Sequence, residues 1–171
     1  GPVHHLLMEY VFGASLAQLL RASAWAKTPL SIGAVLHIGR SIAHALAAAW
    51  EREDEEGKPL ELIHGFVTPH NVLVGFDGRP KLADLGVARI TNRASVRAST
   101  GAEGIYAYMS PEQARGDGID ARSDVFSLGI VLWEALTGHP LFRGKSRQEV
   151  IEAVTRAPIR RPSRFVPSIT P

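Results

Sequence analysis

The chain has 171 residues, which is enough for one domain or a large part of one. Its hydrophobic fraction of 45% is that of a globular protein and excludes wholesale disorder. The net charge is +2 and no run of Lys and Arg is long, so we expect no nucleic acid partner. The absence of cysteine excludes disulfides, Cys-ligated zinc and a thiol nucleophile. No apolar run reaches the roughly 20 residues that span a bilayer, so we expect no membrane segment and a cytoplasmic location.

The first third of the chain predicts one strand and two helices. The apolar run from His5 to Tyr10 is typical of a strand, and Phe12-Gly13 predicts the turn after it. A short helix is expected from Ser15 to Leu20. Apolar residues then recur every three or four positions from Ser31 to Trp50, which predicts an amphipathic helix of about five turns.

The middle of the chain alternates short apolar runs with polar loops. Asp77-Gly78 predicts a hairpin turn between the runs Val72-Leu73-Val74 and Lys81-Leu82. The stretch from Ile90 to Gly104 is polar, rich in small residues and without periodicity. It predicts a long loop, and such loops inside compact domains are usually functional.

The last third predicts two further helices and an irregular tail. From Ser123 to Leu136 apolar residues cover every face, which is typical of a buried helix, with Ser123 as its cap. Gly138 is expected to end it. The capping box at 146–149 predicts another helix over 146–157. The segment after Pro158 is rich in Pro and Arg.

Two stretches in the middle of the chain show a family resemblance. His64 and Asn71 bound an eight-residue loop, and Asp84-Leu85-Gly86 follows. This order resembles the catalytic loop and the metal loop of the eukaryotic-type protein Ser/Thr kinases, whose patterns are H-R-D-L-x-x-x-N and D-F-G. The segment 108–112, Tyr-Met-Ser-Pro-Glu, is similar to the one that closes the family's activation loop. Asp124 matches the aspartate that braces the catalytic loop from below.

The resemblance implies the lower lobe of a protein kinase, a mainly α fold with small β pieces (α+β). Residues 1–171 would then form a single partial kinase domain. Its parts would be a strand and hinge at 1–14, a helical lobe with the catalytic and activation loops at 15–157, and an irregular tail at 158–171. The family's Gly-rich loop, strand Lys and paired helix Glu have no counterpart here, because they belong to an upper lobe (N-lobe) that would lie upstream in a longer chain.

The family also implies a nucleotide site along the hinge. Adenine would lie against the backbone at Glu9 and Val11, with Met8 as gatekeeper. Ser15 would meet the ribose, and Leu73 would form the floor of the pocket. ATP is therefore an expected ligand, bound weakly or not at all by this lobe alone.

Three family positions in the loop have changed, whereas the metal pair is retained. Asn71 and Asp84 would hold Mg²⁺, which prefers oxygen ligands. Phe66 occupies the position of the catalytic Asp, which accepts the substrate hydroxyl proton. Thr68 replaces a Lys that touches the transferred phosphate, and Gly65 replaces an Arg that senses a phosphorylated activation loop.

Three functions follow from this pattern as competing hypotheses. The first is a pseudokinase that acts as a nucleotide-responsive or scaffolding module for a protein partner. The second is part of an active Ser/Thr kinase that uses an unusual base on a protein substrate. The third is a truncated product without independent activity. The change at Phe66 favours the first over the second.

Three structural expectations accompany these hypotheses. Glu112 should have no buried Arg partner, because the family's Arg lies in later helices. For the same reason, apolar surface should be exposed beside Val131 or Trp133. Finally, Ile105 replaces a Thr that in the family bonds to the catalytic Asp, so Phe66 and Ile105 should touch within roughly 4.5 Å.

Overall fold

The computed structural model describes residues 7–85 and 102–169. The chain is mainly helical with one small sheet, as the resemblance implied. Most of the loop expected from Ile90 to Gly104 lies outside the described residues. The regular elements are β1 (Gly13–Ser15), α1 (Leu16–Ala26), α2 (Ile32–Trp50), β2 (Val72–Gly75), β3 (Pro80–Leu82), α3 (Ala102–Tyr106), α4 (Pro111–Arg115), α5 (Ala121–Thr137), α6 (Arg147–Arg156) and a 3₁₀ turn (Pro162–Arg164).

The three strands form one antiparallel sheet in the order β1-β2-β3. The predicted hairpin between β2 and β3 is confirmed. In its turn, Asp77 Oδ1 accepts the backbone N–H of Arg79 at 3.0 Å, which is how short acidic side chains stabilise turns. The register sets Ser15 opposite Leu73 and Val72 opposite Leu82.

The strand predicted over 5–10 is wrong for its described part. Residues 7–10 have no regular structure, and the strand lies at Gly13–Ser15 instead. Leu7 is 98% exposed and Tyr10 is 84% exposed. A strand needs a neighbour to satisfy its backbone N–H and C=O groups, and β2 pairs with 13–15 on this side. Apolar composition alone did not decide where the strand forms.

Helix α1 begins where it was predicted and runs further. The Ser15 hydroxyl accepts the N–H of Gln18 at 3.3 Å, and Gln18 Oε1 accepts the N–H of Ser15 at 2.8 Å, which makes a capping box. The predicted end at Leu20 is too early, because the helix continues to Ala26 and ends at Lys27 with φ 52°. Leu16 is fully buried and anchors its first turn in the core.

Helix α2 has the predicted bounds and supplies one side of the core. Its buried stripe includes Ile38, Ile42 and Leu46, which pack in one cluster with residues of β2 and α5. A Cβ at Gly39 would lie 2.9 Å from both methyl groups of Leu132. Glycine therefore allows α2 and α5 to approach closely.

By length and composition alone, α2 could cross a membrane, although no membrane segment was expected from the sequence. In this fold its buried face packs in the core cluster, and a third of its most apolar window is buried. A core helix of a globular protein passes the same test, so the observation is weak evidence for a membrane span.

Helix α5 is the central helix of the lobe, with two differences from prediction. Its cap is Asp120, whose Oδ1 accepts the N–H of Arg122 at 2.8 Å, whereas Ser123 lies inside the first turn. Its surface is not buried on every side, since Val125 is 65% exposed. Gly138 ends the helix in the left-handed conformation with φ 70°, as expected.

Apolar surface was expected to be exposed beside Val131 or Trp133, but these two residues are themselves buried. Val131 is fully buried and Trp133 is 8% exposed. The tail covers Trp133, because the indole N–H donates to the carbonyl of Arg160 at 2.8 Å and the Phe165 ring lies 5.2 Å away, edge to face. Arg160 and Phe165 of the tail therefore pack against α5, and the only regular element in the described part of the tail is one 3₁₀ turn.

A buried carboxyl on α5 joins three segments of the lobe. Glu134 Oε2 accepts the hydroxyl of Tyr108 at 2.6 Å, and Oε1 accepts the N–H of Leu141 at 3.0 Å. Burial raises the pKa of Glu134, and the hydrogen bonds from Tyr108 and Leu141 and the charge of Arg143 offset part of this effect. Burial and the nearby carboxylate also raise the pKa of Tyr108, so its phenol stays protonated and donates.

We expect Glu134→Gln to change how stability depends on pH. The folded-state pKa of Glu134 lies above its ordinary value of 4.5, so the folded chain holds a proton that the unfolded chain releases. The stability that this carboxyl contributes is fully present below its pKa in the unfolded chain. It is lost as pH rises through its pKa in the folded chain. Urea unfolding from about pH 4 to about pH 8 tests this. The free energy of unfolding of the native chain minus that of the variant should fall as pH rises.

The control is Glu152→Gln, which removes an exposed carboxylate 3.5 Å from Arg156. It should give a flat difference over the same pH range. A flat difference for Glu134→Gln as well would contradict the prediction.

Candidate functional site

Asp124 on α5 holds the loop between α2 and β2 from beneath. Its Oδ2 accepts the backbone N–H of His64 at 2.8 Å, and its Oδ1 accepts that of Gly65 at 2.7 Å. Asp124 is 3% exposed, and burial raises its pKa against the opposing effect of these N–H groups and of His64. One carboxyl group thus fixes two consecutive peptide groups, which is the bracing role that the resemblance implied.

Gly65 occupies a backbone conformation that favours glycine. Its φ is 70°, in the left-handed region, where a residue with a Cβ is disfavoured by roughly 1–2 kcal/mol. Its carbonyl accepts Gln113 Nε2 at 2.9 Å, so both of its backbone polar groups are used. An Arg at this position, as the family has it, would be strained in this loop.

His64 ties the loop to the segment that leads to Asp84. Its side chain is fully buried. One ring nitrogen, Nε2, lies 2.8 Å from the carbonyl of Ala83, and the other, Nδ1, accepts the N–H of Phe66 at 3.2 Å. Because Nδ1 accepts, Nε2 carries the proton and donates to Ala83. His64 is therefore a buried histidine bonded to the backbone.

The backbone of Phe66 keeps the loop closed without the family's carboxylate. Its N–H donates to His64 Nδ1, and its carbonyl accepts Asn71 Nδ2 at 2.9 Å. The phenyl ring is half-buried, and Ile105 is 6% exposed. Their contact stays a prediction.

Asn71 and Asp84 lie on neighbouring strand ends. The N–H of Ala83 donates to the carbonyl of Asn71 at 2.8 Å, and the β2–β3 register pairs Val72, next to Asn71, with Leu82, two residues before Asp84. Asp84 is half-buried with φ 65°, an uncommon conformation outside glycine that Asp tolerates better than most residues. No group of three or more His, Cys, Asp or Glu that could hold a metal occurs in the described part of the chain.

The donor set at these two residues fits Mg²⁺. Asn71 Nδ2 is engaged with Phe66, so the amide oxygen is the group available to a cation. Mg²⁺ takes oxygen ligands and usually needs only one or two from protein, the rest coming from water and phosphate. A pair of this kind holds magnesium only together with a phosphate ligand.

Thr68 stabilises the turn that leads into β2. Its side chain is 4% exposed and its Oγ1 accepts the N–H of His70 at 3.3 Å. Its carbonyl accepts the N–H of Asn71 at 3.1 Å and that of Val72 at 3.3 Å. At the position of the family's phosphate-binding Lys, the described structure therefore has a buried turn residue.

Only some of the residues expected to contact adenine and ribose lie close together. Ser15 and Leu73 are opposite each other in the β1–β2 ladder, although the Ser15 hydroxyl is engaged in the capping box of α1. Val11 is half-buried beside this ladder. Glu9 forms an ion pair with Lys81, and Met8 is 56% exposed.

Gln113 contacts the loop, and the sequence did not predict this contact. It lies in α4, where Ser110 caps the helix and Gln113 Oε1 accepts the N–H of Ser110 at 2.9 Å. Its Nε2 donates to Gly65, which connects α4 to the loop. The capping-box pattern S-x-x-Q at 110–113 could have predicted the helix, but the contact with Gly65 depends on tertiary structure.

Glu112 has a serine partner in place of an arginine. Ser123 Oγ donates to its Oε1, and no ion pair joins it to an Arg within residues 7–85 and 102–169. Burial would raise the pKa of Glu112, but hydrogen bonds from Ser123, its own backbone and Ser110, with the charge of Arg115, lower it on balance.

Known proteins provide the comparison for this geometry. The protein kinase domain family matches residues 2–167. The chain is 32% identical to the tyrosine-protein kinase MasK of Myxococcus xanthus over 97% of its length and 26% of that protein. It is 37% identical to the serine/threonine-protein kinase PknB of Mycobacterium leprae over 85% of its length and 22% of that protein. It is 35% identical to the serine/threonine-protein kinase PknL of Mycobacterium tuberculosis over 97% of its length and 39% of that protein.

The chain thus spans well under half the length of these curated relatives. The family match nevertheless covers nearly all of its residues, and the loop that Asp124 braces lies within the matched range. The chain therefore belongs to the protein kinase family, among its bacterial members of the eukaryotic type.

Proposed function

We propose that this chain is a pseudokinase module that binds a protein partner and responds to nucleotide, without transferring phosphate. The observation that supports this is the position of Phe66. Its backbone closes the loop through His64 and Asn71, so the loop keeps its shape while the proton acceptor is missing. A phenyl ring cannot accept a proton, and loss of a general base typically costs about 10²- to 10⁴-fold in rate.

Nucleotide binding rests on Asn71 and Asp84. Held there, Mg²⁺ would neutralise part of the negative charge of the phosphates. The residues of this chain would contribute two oxygens to that ion and a pocket edge at Leu73. Because this is only part of an ATP site, binding should be weak and should require the metal.

The first test is an ATP titration by calorimetry with and without Mg²⁺. We expect weak binding that needs the metal and is lost in Asp84→Asn, because the carboxylate supplies one of two protein oxygens. Asp117→Asn is the matched control, since Asp117 is exposed and pairs with Arg115. Tight binding without metal would show that Asn71 and Asp84 are not a metal pair.

Phosphate transfer distinguishes the proposal from an active kinase. Incubation with labelled ATP and a generic protein substrate should give no detectable product. The retained pair Asn71 and Asp84 favours the alternative that the chain is part of an active Ser/Thr kinase with an upstream N-lobe. Transfer that is lost in Asp84→Asn would support that alternative.

We expect Phe66→Asp to destabilise the chain without restoring activity. If Phe66 lies against buried Ile105, the new carboxylate would face an apolar group, and an uncompensated polar group costs about 1–3 kcal/mol. The double variant Phe66→Asp/Ile105→Thr supplies a hydroxyl partner and should recover part of the loss. Urea unfolding of the two single variants and the double variant measures this coupling. Strictly additive effects would refute the contact.

A further inference from the structure

A cavity of about 210 Å³ opens between α1, the end of the loop and the segment before α4. The N–H of Ala17 donates to the carbonyl of Pro69 at 2.9 Å and joins two of its walls. The cavity lies next to the turn at Thr68, which Pro69 and His70 follow. Its lining residues are Ala17, Leu20, Arg21, Pro69, His70 and Tyr108.

The cavity carries a positive charge that has no ion-pair partner in the described part of the chain. Arg21 and His70 are both exposed, and in the described part of the chain neither side chain forms an ion pair or hydrogen bond. None of the described residues that line the cavity is acidic. The Tyr108 hydroxyl is engaged with Glu134, so the polar groups left for a ligand are the guanidinium and the imidazole.

The apolar walls of the cavity strengthen the hydrogen bonds that the guanidinium and the imidazole can form. Ala17, Leu20 and Pro69 exclude part of the water around a bound group, which strengthens a charged hydrogen bond. A guanidinium presents a planar fork of donors that matches the two oxygens of a carboxylate. An imidazole N–H can donate a further hydrogen bond.

We propose that this cavity binds one Asp or Glu side chain of a protein partner. Among the described lining residues, Arg21 is the one permanently charged cation, which balances a single negative charge and falls short of a phosphate dianion. The volume is that of one side chain, not of a nucleotide. This inference rests on the protein-binding part of the proposed function and names the chemistry of the partner.

The test is a titration of the isotope-labelled chain, followed by NMR, with two short Gly-Ser peptides that differ at one central position. One peptide has Glu there and the other has Gln. The Glu peptide should bind about fivefold more tightly, as expected for a solvent-accessible ion pair. It should shift the Arg21 side-chain N–H signal and the backbone signals of Leu20 and His70. Added salt should weaken the Glu peptide only.

Two arginine variants decide the role of the cavity. Arg21→Gln should remove the preference for Glu, whereas Arg40→Gln, which changes an exposed arginine on α2, should keep it. A preference that survives Arg21→Gln, or equal binding of both peptides, would overturn the proposal. A phosphoserine peptide that binds more than about tenfold better than the Glu peptide would replace the carboxylate assignment.

The same peptides, extended by one Ser, separate this inference from the proposed function. Transfer of labelled phosphate from ATP to that Ser would refute the pseudokinase proposal and would leave the preference for Glu unaffected. Loss of the preference without any transfer would refute only the cavity assignment.

Discussion

Asp124→Ala should lower the free energy of unfolding by about 2–5 kcal/mol, because it removes the acceptor of two N–H groups. Each buried donor left without a partner costs about 1–3 kcal/mol. Asp124 is nearly fully buried, and it bonds to His64 and Gly65 at 2.8 and 2.7 Å. Water cannot easily replace these bonds. Urea unfolding measures the loss.

The matched control is Asp117→Ala, which removes an exposed carboxylate 2.7 Å from Arg115. Exposed ion pairs contribute about 0–1 kcal/mol, so its effect should be small. Asp124→Asn should lie between the two, since one oxygen remains to accept one N–H. Equal losses for Asp124→Ala and Asp117→Ala would show that the loop does not depend on this brace.

Trp133→Ala should cost about 3–5 kcal/mol of stability, the range for a buried large aromatic side chain. The side chain is 8% exposed, its ring contacts Phe165, and its N–H bonds to the carbonyl of Arg160. Alanine would leave a cavity between α5 and the tail and an unpaired carbonyl. Thermal or urea unfolding gives the change.

Trp25→Ala is the control that separates the effect of burial on stability from the effect of residue type, because Trp25 is 89% exposed. Surface substitutions of that kind usually stay within about 0.5 kcal/mol. Trp133→Phe should cost about 1 kcal/mol, since it keeps most of the packing and removes one hydrogen bond. If Trp133→Ala behaves like Trp25→Ala, the tail does not cover α5 in solution.

Helix α5 positions most of the candidate site. Asp124 holds the loop, Ser127 Oγ donates to the carbonyl of Tyr108 at 2.7 Å, and Glu134 accepts the Tyr108 hydroxyl. These polar residues are buried in a helix of mainly apolar composition. A buried polar group is stable only with its partners in place, so each contact also specifies where its partner segment must lie.

The sequence by itself determined the features that depend on neighbouring residues. The period of α2, the Asp-Gly hairpin at Asp77 and the glycine stop at Gly138 follow from local geometry, and all three agree with the structure. The family resemblance came from several matches in the right order, namely His64, Asn71 and Asp84 together with the segment 108–112 and Asp124, and this order is read from the sequence alone.

Only the tertiary structure decided the features that join distant segments. The run at 5–10 was apolar enough for a strand, but a strand forms only where a partner ladder exists, and β2 pairs with Gly13–Ser15. Apolar surface was expected to be exposed beside Val131 or Trp133, yet a tail with little regular structure covers Trp133 through a contact that spans 27 residues of sequence. The bond from Gln113 to Gly65 spans 48 residues. Such contacts depend on the path of the whole chain, and no local pattern encodes them.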